Sequence, residues 1–466
     1  MRRGSASSGG MAKVFGVPEF RVLWAAELFS VAGDQLARVA LAVLVYGRTG
    51  SALWAAVTYA LTFLPALLGG VLLSGLADRF RRREVMVVCD VLRAGLLAAM
   101  AVPDLPLWVL CALLVVVVLL GSPHTAAQGA LMPELLAGDL YERGLAVRQI
   151  TTQTAQLAGF AAGGVLVAAI SPSVALLADA ATFLASAVVV RLGITDRPRP
   201  VPPDGHPEGP SGWRGVVAGL VEIVRDPRRS ALVALAWIVG CYVVPEALAA
   251  PYATELGAGA AVVGLLMAAD PLGSVLGAWL FVRFVPPETR ERLVGVLAVG
   301  AGLPLVACLL RPGLAVTLVL WGLSGMLATA YLLQTQASFV RATPDIGRGQ
   351  AIGVAASGII AAQGLAVLAA GAFADAWGPA VAIALVGGAG SVLALVAAVA
   401  WSRARHGAHR SDGSRNAGSR EVGGGGLPKG AVSSGFPAVV RPAPGNGRSA
   451  ADCENGRPSL THSDRS

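Results

Sequence analysis

The sequence contains little charge for its length, and this scarcity excludes the ordinary water-soluble classes of protein. Only 14% of its 466 residues are charged, whereas 55% are hydrophobic and the mean hydropathy is +0.67. A water-soluble protein carries about a quarter charged residues. Many apolar runs reach about 20 residues, the length that a helix needs to cross about 30 Å of hydrocarbon. The sequence therefore predicts a protein that spans a membrane several times.

The sequence also lacks the motifs of soluble chemistry. It contains no Walker-type Gly-x-x-x-x-Gly-Lys loop, and no Ser/His/Asp or metal-ligand set has a suitable spacing. Five cysteines are present without metal or redox spacing. We therefore predict that the chain is not an enzyme and uses no cofactor, and that an ion gradient or the gradient of a solute supplies its energy.

Twelve apolar segments are long enough to cross a bilayer. Each is expected to be a helix, because backbone polar groups find no water in lipid and must pair within the segment. The segments are 22–46, 53–76, 85–101, 105–131, 149–170, 173–190, 230–252, 258–281, 293–310, 314–340, 350–374 and 379–401. The 58 glycines, many of them inside these segments, indicate that the helices pack closely. The fold class predicted is an all-α membrane protein.

The loops between these segments alternate sharply in arginine content. One set carries many arginines, whereas the opposite set carries only Arg48 and Arg311. The positive-inside rule then predicts that the N- and C-termini both face the cytoplasm. This asymmetry also accounts for the net charge of +8, so that nucleic-acid binding is not needed to explain it.

A Pro- and Gly-rich stretch at 193–229 divides the chain into two halves of six segments each. The division predicts a cytoplasmic N-terminus at 1–21, an N-terminal bundle at 22–192, a cytoplasmic linker, a C-terminal bundle at 230–401 and a disordered cytoplasmic tail at 402–466. A weak internal repeat places RGLAV at 143–147 over RGQAI at 348–352. Parallel repeats of this kind are typical of transporters built from two six-helix halves.

The stretch LADRFRRREV at 76–85 concentrates charge in the short turn between the second and third segments. It resembles the signature loop of the Major Facilitator Superfamily, in which Gly-x-Leu-Ala-Asp-Arg-x-Gly-Arg-Lys occurs at this position. The matching residues are Leu76, Ala77, Asp78, Arg79, Arg82 and Arg83. Ser74 and Arg81 depart from the pattern, since both stand where the family has glycine.

Further stretches resemble the drug and siderophore exporter branch of that family. They are SVAGDQLARVALAVLVYGRTGSALW in the first segment, CDVLRAG in the third, GSPHTAAQGALMPEL in the fourth and LLADAATFLAS in the sixth. The corresponding loop of the C-terminal half has Pro286 and Pro287 in place of an Asp-Arg pair. The resemblance implies two bundles that alternate access to a central cavity, with Asp78 and its neighbouring arginines latching the halves together near Arg348 and Gly349.

Ionisable groups at membrane depth are costly, so each needs a partner or a function. Asp34 lies near the middle of the first segment, and Arg38 follows one helical turn later on the same face. The two are predicted to form either a structural ion pair or a carboxylate whose protonation alternates with substrate occupancy. Asp90 and Arg93 in the third segment are predicted to form a structural ion pair beside the signature loop.

Other polar groups within the segments are assigned by their surroundings. Glu246 follows Pro245, and Asp270 precedes Pro271, and an acid beside a proline bend is a candidate proton or cation site. Asp179 is expected to form packing hydrogen bonds. His124 is either a packing residue or a proton relay.

The leading prediction is a secondary transporter of the cytoplasmic membrane that exports a small apolar compound in exchange for protons, with Asp34, Arg38, Glu246 and Asp270 coupling the two movements. The expected partners are a small-molecule substrate, protons and the lipid bilayer, and the chain is expected to act as a monomer. An importer of a nutrient on the same fold is an alternative, because direction depends on the order in which proton and solute bind. A membrane scaffold or sensor that transports nothing is the second alternative.

Overall fold

The structure, a computed structural model, describes residues 13–73, 76–198, 213–344 and 348–421, and all regular structure in these ranges is helical. The N-terminal half contains α1 (Pro18–Thr49), α2 (Ala52–Ala60), α3 (Leu64–Leu72), α4 (Leu76–Arg79), α5 (Arg82–Met100), α6 (Leu107–Leu135), α7 (Asp139–Ala169) and α8 (Pro172–Gly193). The linker contains α9 (Trp213–Arg225). The C-terminal half contains α10 (Pro227–Tyr242), α11 (Val244–Ala247), α12 (Ala249–Glu255), α13 (Ala260–Phe284), α14 (Pro287–Val306), α15 (Leu314–Ala342), α16 (Arg348–Trp377) and α17 (Pro379–Glu421). Short 3₁₀ turns occupy Val14–Gly16 and Ala307–Leu310.

Each of the twelve predicted segments coincides with helix, but fewer meet a strict criterion for crossing a membrane. Within the described ranges, ten helical stretches are long and apolar enough. The two segments outside this set are 85–101, in α5, and 149–170, in α7. Both helices carry polar and charged side chains towards the interior of the protein, which lowers their mean hydropathy.

Two predicted segments are interrupted helices. The segment 53–76 is divided into α2 and α3 by a turn that ends just before Pro65, and 230–252 is divided into α10, α11 and α12. Pro245 lies in the first turn of α11, after the break at Val243, and Pro251 lies in the first turn of α12, after the break at Leu248. Proline has no N–H to continue the hydrogen-bond ladder of a preceding helix, and in a first turn that N–H has no helical partner. Pro271, in contrast, lies inside the continuous helix α13.

The structure describes only part of the two polar regions that the sequence predicts as linker and tail. The linker is helical over α9, while 199–212 lies outside the described residues. The described residues up to Arg410 form one compact unit. The last helix, α17, continues beyond the predicted boundary at 401 to Glu421, and the rest of the predicted tail lies outside the described residues.

Close approach between helices depends on glycine, as the composition predicts. Gly273 of α13 lies directly against the backbone of Gly322 in α15, where a Cβ has no space. Gly159 of α7 lies against the backbone of Ala32 in α1, and a Cβ there would come 2.8 Å from Cβ of Gln35. These contacts hold the helices of each half at short distances.

The two halves contact each other at the ends of the helices that lie beside the arginine-poor loops. Gly164 near the end of α7 faces Gly264 near the start of α13, and a Cβ on Gly164 would lie 2.7 Å from Cα of Gly264. In a second contact between the halves, Asp375 of α16 accepts hydrogen bonds from Ser51 Oγ and from the backbone N–H of Ala52, each at 2.6 Å. These contacts bring the halves together at this end.

Candidate transport site

A cavity of about 630 Å³ lies in the N-terminal half, between α1, α3, α5, α6, α7 and α8. Its apolar wall comprises Leu41, Leu97, Leu114, Val117 and Val118. It extends along α1 from Leu41 to Glu27, which is towards the end of the molecule that carries the arginine-rich loops. Its volume lies in the range of pockets that bind drug-sized molecules, about 300–1,000 Å³.

An ion pair between Asp34 and Arg93 crosses this cavity from α1 to α5. Arg93 Nη2 lies 2.9 Å from Asp34 Oδ1. The Arg93 side chain is 7% exposed and lies over the ring of Phe183, 3.9 Å from its centroid, whereas Asp34 is 35% exposed. The arginine is therefore held in place, and the carboxylate is accessible from the cavity.

This pairing corrects the predicted Asp34–Arg38 ion pair. Arg38 also lines the cavity, but its guanidinium lies over aromatic rings, 5.7 Å from the centroid of Tyr59 and 5.4 Å from that of Phe63. The i, i+4 spacing places Asp34 and Arg38 on one face of α1. The orientation of α5 nevertheless brings Arg93 closer to the Asp34 carboxylate. The Arg38 side chain extends to the rings of Tyr59 and Phe63 instead.

The predicted Asp90–Arg93 pair is also wrong. The buried Asp90 carboxylate accepts a hydrogen bond of 2.6 Å from Ser186 Oγ in α8 and lies 3.3 Å from His124 Nε2 in α6. Asp90 and Arg93 thus connect α5 to different neighbours. The i, i+3 spacing failed because each side chain found a partner on a packed helix.

His124 and Asp179 are buried beside the same cavity. His124 contacts Asp90, which fits the packing alternative for this histidine, and the sequence alone left that choice open. Asp179 lies 3.2 Å from Thr182 Oγ1 and interacts electrostatically with Asp34. The cavity therefore has two carboxylates near one arginine, Arg93.

A second ion pair in the cavity was missed by the sequence analysis. Arg148 of α7 binds Glu27 of α1 through two hydrogen bonds, of 2.7 and 3.0 Å, and also donates to Gln128 Oε1 at 3.1 Å. Glu27 lies seven residues before Asp34, on the same face of α1. That i, i+7 spacing was the signal that could have identified it.

Glu246 lies at the junction of the two halves, outside the cavity lining. Its buried carboxylate accepts a hydrogen bond from the hydroxyl of Tyr59 in α2. Arg38 acts on it electrostatically from α1, and Asp270 of α13 acts on it from the C-terminal half. The predicted coupling residues are thus adjacent, with Arg38 between the cavity residue Asp34 and the interface residue Glu246.

The arginines of the signature loop contact the N-terminal half. Arg82 pairs with Glu134 and donates to the carbonyl of Ala130 at 3.1 Å, and Arg83 lies 3.4 Å from Asp196. Arg81, which stands where the family has glycine, also pairs with Asp196, at 2.5 Å. These contacts brace the loop against α6 and the start of the linker.

The predicted latch itself rests on a side chain that is not described. Asp78 lies in α4, but its side chain is outside the described set, and Arg79 is exposed. Arg348 donates hydrogen bonds of 3.2 and 3.0 Å to the carbonyl of Thr343. The latch remains a prediction.

Curated relatives of similar length are efflux pumps. The chain is 26% identical over 387 residues to the multidrug efflux pump Tap of Mycobacterium tuberculosis strain H37Rv, covering 78% of this chain and 88% of the pump. It is 28% identical over 387 residues to the multidrug efflux pump Tap of Mycolicibacterium fortuitum, covering 78% of this chain and 90% of the pump.

Solved structures share the fold at lower identity. A bacterial homologue of the human lysosomal transporter Spinster, in an inward-facing and occupied conformation, aligns over 86% of this chain and 98% of its own, with a TM-score of 0.66 and 14% identity. The peptide transporter POT in complex with sulfate aligns over 85% of this chain and 99% of its own, with a TM-score of 0.65 and 16% identity.

The family model of the Major Facilitator Superfamily matches residues 23–286, more than half of the chain. This match agrees with the two helical halves and with the signature loop at α4. The expected all-helical membrane fold of this family is confirmed, and so is the expectation that the chain is not an enzyme. The chain belongs to the Major Facilitator Superfamily and is an all-helical, multi-pass membrane transporter of a small-molecule substrate.

Proposed function

We propose that this transporter exports a small hydrophobic compound across the cytoplasmic membrane in exchange for protons. The observation that carries the proposal is the Asp34–Arg93 ion pair, which lies in a drug-sized cavity with apolar walls. Apolar walls suit a hydrophobic substrate, and an accessible carboxylate within the membrane suits a proton. The similarity to two multidrug efflux pumps supports export.

The proposed coupling depends on the charge of Asp34. While Asp34 is ionised, Arg93 neutralises it. A proton on Asp34 removes the carboxylate charge and leaves Arg93 without its counter-ion, so the charge of the cavity differs between the two protonation states. An exchanger also requires that proton and substrate do not bind together, and this exclusion is part of the proposal.

Conformational change follows from the interface between the halves. The structure has the halves in contact beside the arginine-poor loops, and the cavity reaches along α1 from Leu41 to Glu27, towards the arginine-rich loops. With those loops in the cytoplasm, this is an inward-facing state that admits substrate from inside. In the outward-facing state Asp78 latches the cytoplasmic ends, while Glu246 and Asp270 at the interface exchange their partners.

The experiment is a transport assay on proteoliposomes that contain the full chain, with an apolar fluorescent dye and an imposed proton gradient. We expect proton-driven movement of dye, with at least a tenfold loss in Asp34→Asn, which keeps the shape of the side chain but cannot ionise. The matched control is Asp104→Asn in the exposed loop before α6, which should transport normally.

Three outcomes would contradict the proposal in different ways. Proton-driven uptake of solute in the opposite direction would identify an importer. Unchanged fluxes across a broad solute panel would support a scaffold or sensor. Normal exchange by Asp34→Asn would remove Asp34 from the coupling mechanism.

A further inference from the structure

The linker helix α9 is held rigidly against the first helix of the C-terminal half. Arg229 of α10 forms ion pairs with Glu222 at 2.8 Å and with Asp226 at 3.0 Å. Ser230 Oγ donates a hydrogen bond of 2.9 Å to the carbonyl of Ile223. Only Asp226 separates the two helices, so the direction in which each face of α9 points is determined by α10.

One face of α9 packs on the beginning of α16. Ile223 is 2% exposed. A Cβ on Gly219 would lie 2.9 Å from Cγ2 of Val354 and 3.1 Å from the carbonyl oxygen of Gln350, so the helices approach closely at this glycine. Residues 219 and 223 are one helical turn apart and form the docked face.

A second face of α9 is apolar and exposed. Its residues follow the i, i+3, i+4, i+7 spacing and are 42, 41, 42 and 66% exposed, in the order Val217, Leu220, Val221 and Val224. Isolated exposed apolar residues are common, but a continuous stripe on a short helix indicates a surface that is covered. The polar residues Glu222 and Arg225 lie on the remaining side of the helix.

We propose that this stripe inserts into the bilayer at the boundary between headgroups and acyl chains, so that α9 is an interfacial helix. The helices that flank it, α10 and α16, are both candidate membrane spans, and α9 contacts both near their first residues. The first turn of a span lies at the membrane surface, which places the stripe at the same depth. The exposed Arg228, at the beginning of α10, lies beside it and suits a lipid phosphate.

This assignment has a structural consequence. Because the opposite face of α9 is docked on α16, the lipid contact holds the beginning of α16 at the bilayer surface. The linker is then a membrane-bound connection between the halves over the length of α9.

The experiment uses spin labels on the full chain in vesicles of phosphatidylethanolamine and phosphatidylglycerol. The five cysteines are first replaced by alanine, and single labels are then introduced by Val224→Cys and Leu220→Cys on the stripe, with Arg225→Cys as the matched control on the polar side. Collision with oxygen, which concentrates among acyl chains, is compared with collision with a water-soluble nickel chelate. We expect the oxygen-to-nickel ratio to be severalfold higher at both stripe positions than at the control.

Two results would overturn the proposal. Stripe labels that collide with nickel as often as the control label would show that the stripe faces water. Stripe labels shielded from both reagents would show that a protein surface, such as a second copy of the chain, covers it. Two stripe positions are used so that a variant with a lowered melting temperature can be discarded, and the readout does not depend on whether the protein exports anything.

Discussion

Tyr59 in the N-terminal half donates a hydrogen bond to the buried carboxylate of Glu246 in the C-terminal half. Arg38 lies over the ring of the same tyrosine and acts electrostatically on the same carboxylate. Arg38 also lines the cavity that contains Asp34. We therefore predict that a change of charge in the cavity acts, through Arg38, on a bond that joins the two halves.

Removal of the tyrosine hydroxyl should loosen that junction. In Tyr59→Phe the buried Glu246 carboxylate loses its donor, and a hydrogen bond to a charged group contributes about 1.5–3 kcal/mol. We expect the population closed beside the arginine-poor loops to fall about tenfold relative to the open one. Distances between spin labels on the two halves, at that end of the molecule, would measure the change.

The matched control for this variant is Tyr331→Phe. Tyr331 is equally buried, but among the described residues its hydroxyl has no hydrogen-bond partner. Its removal should leave the label distances unchanged. Equal effects of the two variants would contradict a specific role for the Tyr59–Glu246 bond.

A double-mutant cycle can test which acid is the partner of Arg93. The geometry predicts a coupling energy above about 1 kcal/mol between Asp34→Ala and Arg93→Ala, because the groups are in direct contact. For Asp90→Ala and Arg93→Ala we expect about 0.5 kcal/mol or less, since Asp90 is bonded to Ser186 instead. Free energies of unfolding in detergent provide the measurement, and the reverse order of couplings would restore the pairing expected from sequence.

A side chain added at the glycine contact between α7 and α13 should separate the halves at the end beside the arginine-poor loops. A Cβ on Gly264 would come 2.8 Å from the backbone nitrogen of Gly164, and backbone atoms cannot move aside as a flexible side chain can. Gly264→Val is expected to shift the protein towards the state open at that end, seen as increased labelling of a cysteine placed nearby. Gly95→Ala, where nothing lies within 4 Å of the added atom, is the control and should not alter the labelling.

Loss of the Asp375 carboxylate should weaken the second contact between the halves, where α16 meets the beginning of α2. Asp375 accepts from Ser51 Oγ and from the backbone N–H groups of Ala52 and Leu53, so it caps α2 from the other half. We expect Asp375→Ala to cost the closed state about 1–2 kcal/mol and Ser51→Ala to cost less, because the backbone bonds remain. Label distances across this contact distinguish the two, and a larger effect of Ser51→Ala would argue against the capping interpretation.

The positions of the long helices could be predicted because the bilayer constrains their length and composition. A segment in lipid must satisfy its own backbone and match the hydrocarbon thickness, so each of the twelve predicted segments falls on helix, although ten stretches of the described ranges meet the strict criterion. The breaks at 61–63, 243 and 248 were less accessible to prediction. Pro271 resembles Pro245 in the sequence, yet α13 continues through it, since packing against α15 decides whether a bend becomes a break.

The sequence by itself determined which charged residues enter the membrane, because composition and segment boundaries depend only on the order of residues. The tertiary structure alone decided their partners. Asp34 binds Arg93, 59 residues away, and Glu27 binds Arg148, 121 residues away, although local spacing favoured Arg38 for Asp34. The reason is that a partner is selected by the rotation of each helix about its axis, and that rotation results from packing among helices distant in sequence.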